Sequence, residues 1–169
     1  MEDHGNDALR RLLDELPGAL RSTHAQVGDA TALVQRERVT DVLRFLRDAD
    51  GLEFDMLTDL CAVDYLGHPA REAGDAPRFE VVYHLYSLRR NRRVRVKAGV
   101  PEEPCELPSA HELYASANWM EREVFDLYGI RFTGHPDLRR ILLYEEFEGH
   151  PLRKDYPTER RQPLVGPRN

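Results

Sequence analysis

Phe79-Glu-Val-Val-Tyr-His-Leu-Tyr-Ser-Leu-Arg-Arg-Asn-Arg-Arg-Val-Arg-Val-Lys97 is the stretch on which the fold turns. Residues 79–88 have the β-branched and aromatic composition of a strand. Residues 93–97 alternate strictly between Arg or Lys and Val, so one face is buried and the other charged. Arg90-Asn91-Arg92 between them reads as the turn of a hairpin. An antiparallel pair is therefore expected at the centre of a sheet.

Outward from this hairpin, Phe54 to Leu66 is long and apolar and supplies a further strand. Residues 67–78 (GHPAREAGDAPR) read as a flexible loop. Residues 23–27 and 31–36 read as two short strands with Gly28-Asp29 at their turn. Leu9, Leu12, Leu13 and Leu16 form one stripe of a helix capped by Asp7 and stopped by Pro17-Gly18. Val39, Val42, Leu43 and Leu46 face inward from a second helix, with Gly51 beyond its end. Ser109 is expected to cap a short helix through Tyr114, with Glu112 completing a capping box. Asn118 and Glu121 repeat that device at the start of a helix from Trp119 to Tyr128, whose core stripe is Val124, Leu127 and Tyr128. Trp119 is placed in the core. The expected fold is α+β with two layers: a mainly antiparallel or mixed sheet of about five strands, with helices on one face. Residues 1–132 form the domain, and residues 133–169 an extended C-terminal strap and tail.

The chain has 169 residues, 32% of them charged, and a net charge of −6. That balance disfavours nucleic acid as a main partner, since phosphate binding needs a basic footprint. No run approaches the about 18 apolar residues that cross a bilayer. The two cysteines, Cys61 and Cys105, form no C-x-x-C, which suits a reducing compartment. No strand leads into a Gly-rich phosphate loop, so nucleotide-binding α/β folds are disfavoured.

Three chemical readings compete. Asp64 and His84, on adjacent strands, are the best residues for a soluble hydrolase. Arg89, Arg90, Arg92, Arg93, Arg95 and Lys97 make a basic hairpin tip that suits RNA. The third reading is a protein interface, carried by Gly134–Pro157, where Gly-His-Pro occurs at 134–136 and again at 149–151. His135 and His150 lack a third ligand at metal-site spacing, so no metal site is assigned. Arg139-Arg140 and Arg153-Lys154 could clamp an anion, but Glu145, Glu146, Glu148 and Asp155 cancel the field. A mixed-sign strip with Leu, Ile and Tyr suits a protein partner. Glu121 and Glu123 point about 200° apart on a helix and cannot act on one substrate. Arg122 and Glu123 sit within reach of Asp126 on a charged helix face. On this reading Arg139 and Arg153 lie at the surface, and Glu at both would leave the domain folded.

Glu121-Arg122-Glu123, Asp126, Leu127-Tyr128, His135, Arg139 and Ile141-Leu142 fill, without a gap, the signature of the C subunit of proton-pumping NADH:quinone oxidoreductase, respiratory complex I. Asp59–Tyr65, Arg78–Ser87, Arg93–Lys97 and Glu148–Pro157 also resemble that family, so the likeness spans most of residues 40–157. It implies a translocase subunit in the hydrophilic arm that carries no catalytic residue and no cofactor of its own. Partner subunits would hold the FMN and iron–sulfur clusters. It implies packing against the large subunit that helps form the quinone pocket, and a peripheral place on the cytoplasmic side of the cell inner membrane, reached through partners. The related settings are membrane-bound hydrogenases and ferredoxin- or deazaflavin-dependent quinone reductases. Carried over by position, Glu121, Arg122, Glu123, Asp126, His135, Asp137, Arg139, Arg140, His150, Arg153, Lys154 and Asp155 are expected to be structural or interface groups.

Overall fold

Val94, Val96, Ala98 and Val100 are buried and alternate with the more exposed Arg93, Arg95, Lys97 and Gly99. This two-residue period extends the expected strand in a computed structural model, which describes residues 4–69, 76–159, 161–163 and 165. The hairpin is present as β4 (Phe79–Ser87) and β5 (Arg92–Val100), paired antiparallel from Phe79↔Val100 to Ser87↔Arg92. Asn91 makes the turn in a left-handed conformation (φ 51°).

The remaining elements are α1 (His4–Glu15), β1 (Leu20–His24), β2 (Thr31–Val34), α2 (Val39–Asp48), β3 (Met56–Asp64), β6 (Glu106–Pro108), α3 (Ala117–Tyr128) and β7 (Arg131–Thr133). Among the described residues, one sheet of five strands runs β1-β2-β5-β4-β3, and β6 pairs with β7. The sheet is mixed: β2 lies parallel to β5, from Thr31↔Arg95 to Val34↔Ala98, and its other pairings are antiparallel. The fold is α+β. Ala8, Leu9 and Leu12 of α1, Val39, Val42, Leu43 and Leu46 of α2, and Val124 of α3 join one apolar cluster with Val81, Tyr83 and Leu85 of β4. Each aliphatic side chain fully buried there contributes about 2 kcal/mol.

Several local expectations are corrected. β1 occupies 20–24 rather than 23–27, because its pairing with β2 (Leu20↔Val34, His24↔Thr31) leaves 25–30 for the connection. Gly28, at φ 87°, bends that connection. Asp7 is not a cap: α1 starts at His4, and Asp7 lies in its first turn, bonded to Arg10 at 2.6 Å. Leu13 is 47% exposed and leaves the stripe. The helix expected at 109–114 is one turn, with Leu113 and Tyr114 N–H both donating to Ala110 C=O. Tyr114 is drawn into the core, where its hydroxyl donates to Phe54 C=O at 2.8 Å. α3 begins at Ala117, so Asn118 is not its cap. Trp119 is 63% exposed, not core. The loop expected at 67–78 falls partly outside the described residues, as does the tail from Thr158.

Candidate functional site

α3 carries the Glu-Arg-Glu sequence, and its three charges go to three places. Glu121 is fully buried; Oε2 accepts from the Ser109 hydroxyl and Oε1 from the Ala110 N–H, both at 2.6 Å. No arginine meets it among the described residues. Burial pushes its carboxyl up to about 7, and the two hydrogen bonds offset this only in part. Arg122 instead donates to the carbonyls of Arg139 and Arg140, each at 3.2 Å, and lies over the exposed Trp119 ring. Glu123 faces solvent.

Asp126, also fully buried, is where the C-terminal strap is anchored. One oxygen accepts the backbone N–H groups of Ile141, Leu142 and Leu143 at 2.8–3.0 Å. The other accepts from Arg140 at 2.7 Å. Burial alone would raise this carboxyl, but the three amides and Arg140 together hold it below the usual range. Arg140 continues to the carbonyls of Phe147 and Gly149. The intrahelical Arg122–Asp126 pair expected from spacing does not form, because each side chain is taken by the strap. Glu123 and Asp126 are parted as well, the first in solvent and the second buried under the strap.

The two Gly-His-Pro turns dock by their histidines. His135 Nε2 lies 3.1 Å from Asn118 C=O and its Nδ1 accepts from Asp137 N–H, which places the proton on Nε2. His150 Nδ1 lies 3.0 Å from Asp126 C=O. Burial lowers the His150 basicity, and the nearby Arg153 and Arg140 charges add to this against the carbonyl. Gly129 ends α3 at φ 75°, and a Cβ there would come within 2.5 Å of His150 Nε2. Arg153 donates to Tyr128 C=O at 2.6 Å and stacks 5.1 Å from the Phe79 ring. It is an internal strut, which corrects its expected surface placement. Arg139 does lie at the surface, 72% exposed and paired with Asp137.

A second buried acid was not singled out for this role from the sequence. Asp64 is 1% exposed at its side chain and accepts from Arg78 at 2.9 Å and from Lys154 N–H at 2.9 Å. Burial raises its carboxyl, but Arg78 and the amides of Lys154 and Leu66 prevail and lower it. Arg78 also pairs with Asp155 at 2.6 Å, so the end of the strap is tied to β3 and β4 through one guanidinium. The signal was available: Asp64 is a lone acid at the end of an apolar run, and Arg78 immediately precedes β4.

The alternative chemistries find little support in this geometry. Asp64 opposes Phe79, while His84 opposes Asp59 near the other end of β3, so the two are not brought together. Five of the six bases of the hairpin are neutralised within the chain: Arg89 and Arg90 pair with Glu53, Arg92 with Asp7, Arg95 with Asp29 and Lys97 with Glu80, while Arg93 lies over the Tyr86 ring. α3 and the strap turn large apolar side chains outward: Trp119 and Leu142 are more than 60% exposed, and Leu152 and Val165 are nearly half exposed. A partly apolar groove beside Arg122 is lined by Phe125, Leu143, Tyr144 and Val165. Among the described residues, no helix is long and apolar enough to cross a membrane.

Residues 32–162 match the family described as respiratory-chain NADH dehydrogenase, 30 Kd subunit. The chain is 44% identical over 163 residues to the C subunit of NADH-quinone oxidoreductase from Geobacter sulfurreducens, covering 95% of this chain and 96% of that one. It is 52% identical over 149 residues to the Roseiflexus castenholzii protein of the same name, covering 88% and 82%. Among solved structures, the trypsin-resistant fragment (1-134) of Nqo5 superposes with a TM-score of 0.66 at 36% identity, covering 78% of this chain and 99% of the fragment. A chain of an archaeal membrane-bound sulfane sulfur reductase superposes with a TM-score of 0.74 at 22% identity, covering 92% and 86%, and so shares the fold.

Proposed function

Since the chain belongs to the family of the 30 Kd subunit of respiratory-chain NADH dehydrogenase, we propose that it acts as a cofactor-free scaffold in the peripheral arm of the complex. It supports the large subunit that forms part of the quinone site. Electron transfer and proton translocation belong to the whole enzyme. On this reading FMN and iron–sulfur clusters sit in partner subunits, and the chain lies on the cytoplasmic side of the inner membrane, held there by those partners.

The observation that carries this reading is the division of labour on α3 and the strap. Their arginines Arg122, Arg140 and Arg153 are spent within the chain, on Asp126 and on backbone carbonyls. Their large apolar side chains, Trp119 and Leu142 above all, are left outward. An exposed apolar set rimmed by charge is the pattern of an interface core.

The test is purification of the full complex through a tag on this chain. The double variant Trp119→Glu, Leu142→Glu should keep the circular dichroism and melting temperature of the isolated chain. It should lose the large subunit and quinone reductase activity from the purified membranes. Full recovery of both would overturn the reading. The alternative, the equivalent subunit of a hydrogenase-like or ferredoxin-linked complex, predicts co-purified partners without NADH-oxidising subunits.

A further inference from the structure

The sheet face opposite the helices holds a cluster that the scaffold role does not use, and to which the sequence spacing assigned no metal. β3 and β4 are out of step between Leu57 and Asp59: Leu57 opposes Leu85, and Asp59 opposes His84. The extra residue, Thr58, bonds to His84 C=O at 2.9 Å. Without this bulge, alternation from Leu57 would send Asp59 into the core beside Tyr83. With it, Asp59 and Cys61 point outward on the same face as His84. Bulges are a recurrent way to re-aim a side chain next to a functional site.

The geometry points to a binding site for a single zinc-class divalent cation formed by Asp59, Cys61 and His84. One atom from each, a carboxylate oxygen, Sγ and an imidazole nitrogen, lie within 4.8 Å of one another. Ligand atoms around a tetrahedral zinc stand about 3.5 Å apart, so small side-chain rotations on a rigid sheet close the site. The three are of the types zinc accepts, and two of them stand at i and i+2 on one strand with the third across from the first. Asp59 and His84 line a groove of about 600 Å³ together with Thr58, Tyr86, Arg93 and Arg95, through which water can reach them.

The bases nearest the site are held by other acids: Arg95, which opposes His84 across the β4–β5 pair, meets Asp29 at 2.9 Å, and Lys97 meets Glu80 at 2.9 Å. Zinc is bound by carboxylate, neutral imidazole and thiolate, so the Cys61 thiol must give up its proton on binding. Binding forms a sulfur–metal bond and releases the thiol proton to solvent, with no change of oxidation state.

The test uses the full chain and zinc chloride alone, followed by calorimetry in buffers of different ionisation enthalpy. About one equivalent should bind with release of about one proton, and Cys61→Ser and His84→Asn should each weaken binding by about tenfold or more. Asp59→Asn should weaken it less, since its carbonyl oxygen remains. In the unmodified chain, zinc should slow alkylation of Cys61 and leave Cys105 unchanged, a readout that needs no variant to fold. The proposal is overturned if no equivalent binds, if binding to both variants stays within about twofold of the unmodified chain, or if Cys61 is not protected.

Discussion

Glu121 shows how a residue can be visible in a sequence and misread by it. Its place in a charged triplet suggests a solvated helix face, whereas its partners, Ser109 and the Ala110 N–H, lie more than ten residues upstream and close over it. Spacing within a helix carries no trace of that closure. The consequence is a pH dependence of known sign. An acid whose folded pKa is raised to about 7 favours the native state at low pH. That advantage is lost as pH rises from the ordinary carboxylate value through about 7, by roughly 3 kcal/mol. Glu121→Gln keeps an acceptor for the Ala110 N–H and turns an N–H toward the Ser109 hydroxyl, which then accepts instead of donating. Urea unfolding of the variant and the native protein at pH 5 and pH 8 should therefore show the variant gaining on the native protein by that amount at the higher pH. Taking the difference removes His84 and His150, whose lowered basicity acts in the opposite direction. Asp126 and Asp64 have the contrary sign: their contribution is complete above the ordinary carboxylate pKa and fades as pH falls through their lowered folded values. Asp126→Ala strands Arg140 and three backbone amides and should cost about 3–5 kcal/mol, measured as a lower denaturation midpoint.

At the scale of elements, the hairpin was legible because a two-residue period is local, and α2 was legible because its apolar stripe is. The parallel pairing of β2 with β5 was not, since more than sixty residues separate Thr31 from Arg95 and nothing in either strand names its neighbour. The strap was legible as turns but not as a docked segment, because its anchors are side chains that read as surface charge. Two substitutions separate anchor from surface. Arg139→Glu should leave the stability of the isolated chain within about 0.5 kcal/mol. Arg153→Glu should destabilise it by about 2 kcal/mol or more, since it removes the donor to Tyr128 C=O and the guanidinium that stacks on Phe79. Equal melting temperatures for the two would refute the distinction. Gly129→Ala combines a left-handed backbone with a Cβ that meets His150, and should cost about 1–3 kcal/mol by thermal denaturation.

At the scale of the molecule, the sheet has one face committed to the core and one that carries polar and ionisable groups, and the strap is tied to α3. The family signature in the sequence reached the right assembly, while composition and period alone reached only an α+β domain with an interface. The difference is that a partner is specified by outward side chains, and outward side chains have no periodic rule. The double variant of Trp119 and Leu142 belongs to this scale, because its effect appears only when the other subunits are present.

Much of the strap is grasped by its main chain: Asp126 reads amides, and Arg122 and Arg140 read carbonyls, while His135, Arg140, His150 and Arg153 anchor it from within. Main-chain groups are the same whatever side chain they carry. The shape of the strap is thus encoded in a few grasping residues, and its outward apolar side chains are released from folding duty. Outward positions such as Leu142 and Leu152 can drift with a changing partner at little thermodynamic risk to the domain, which makes the strap an adapter whose fit can evolve separately from its frame.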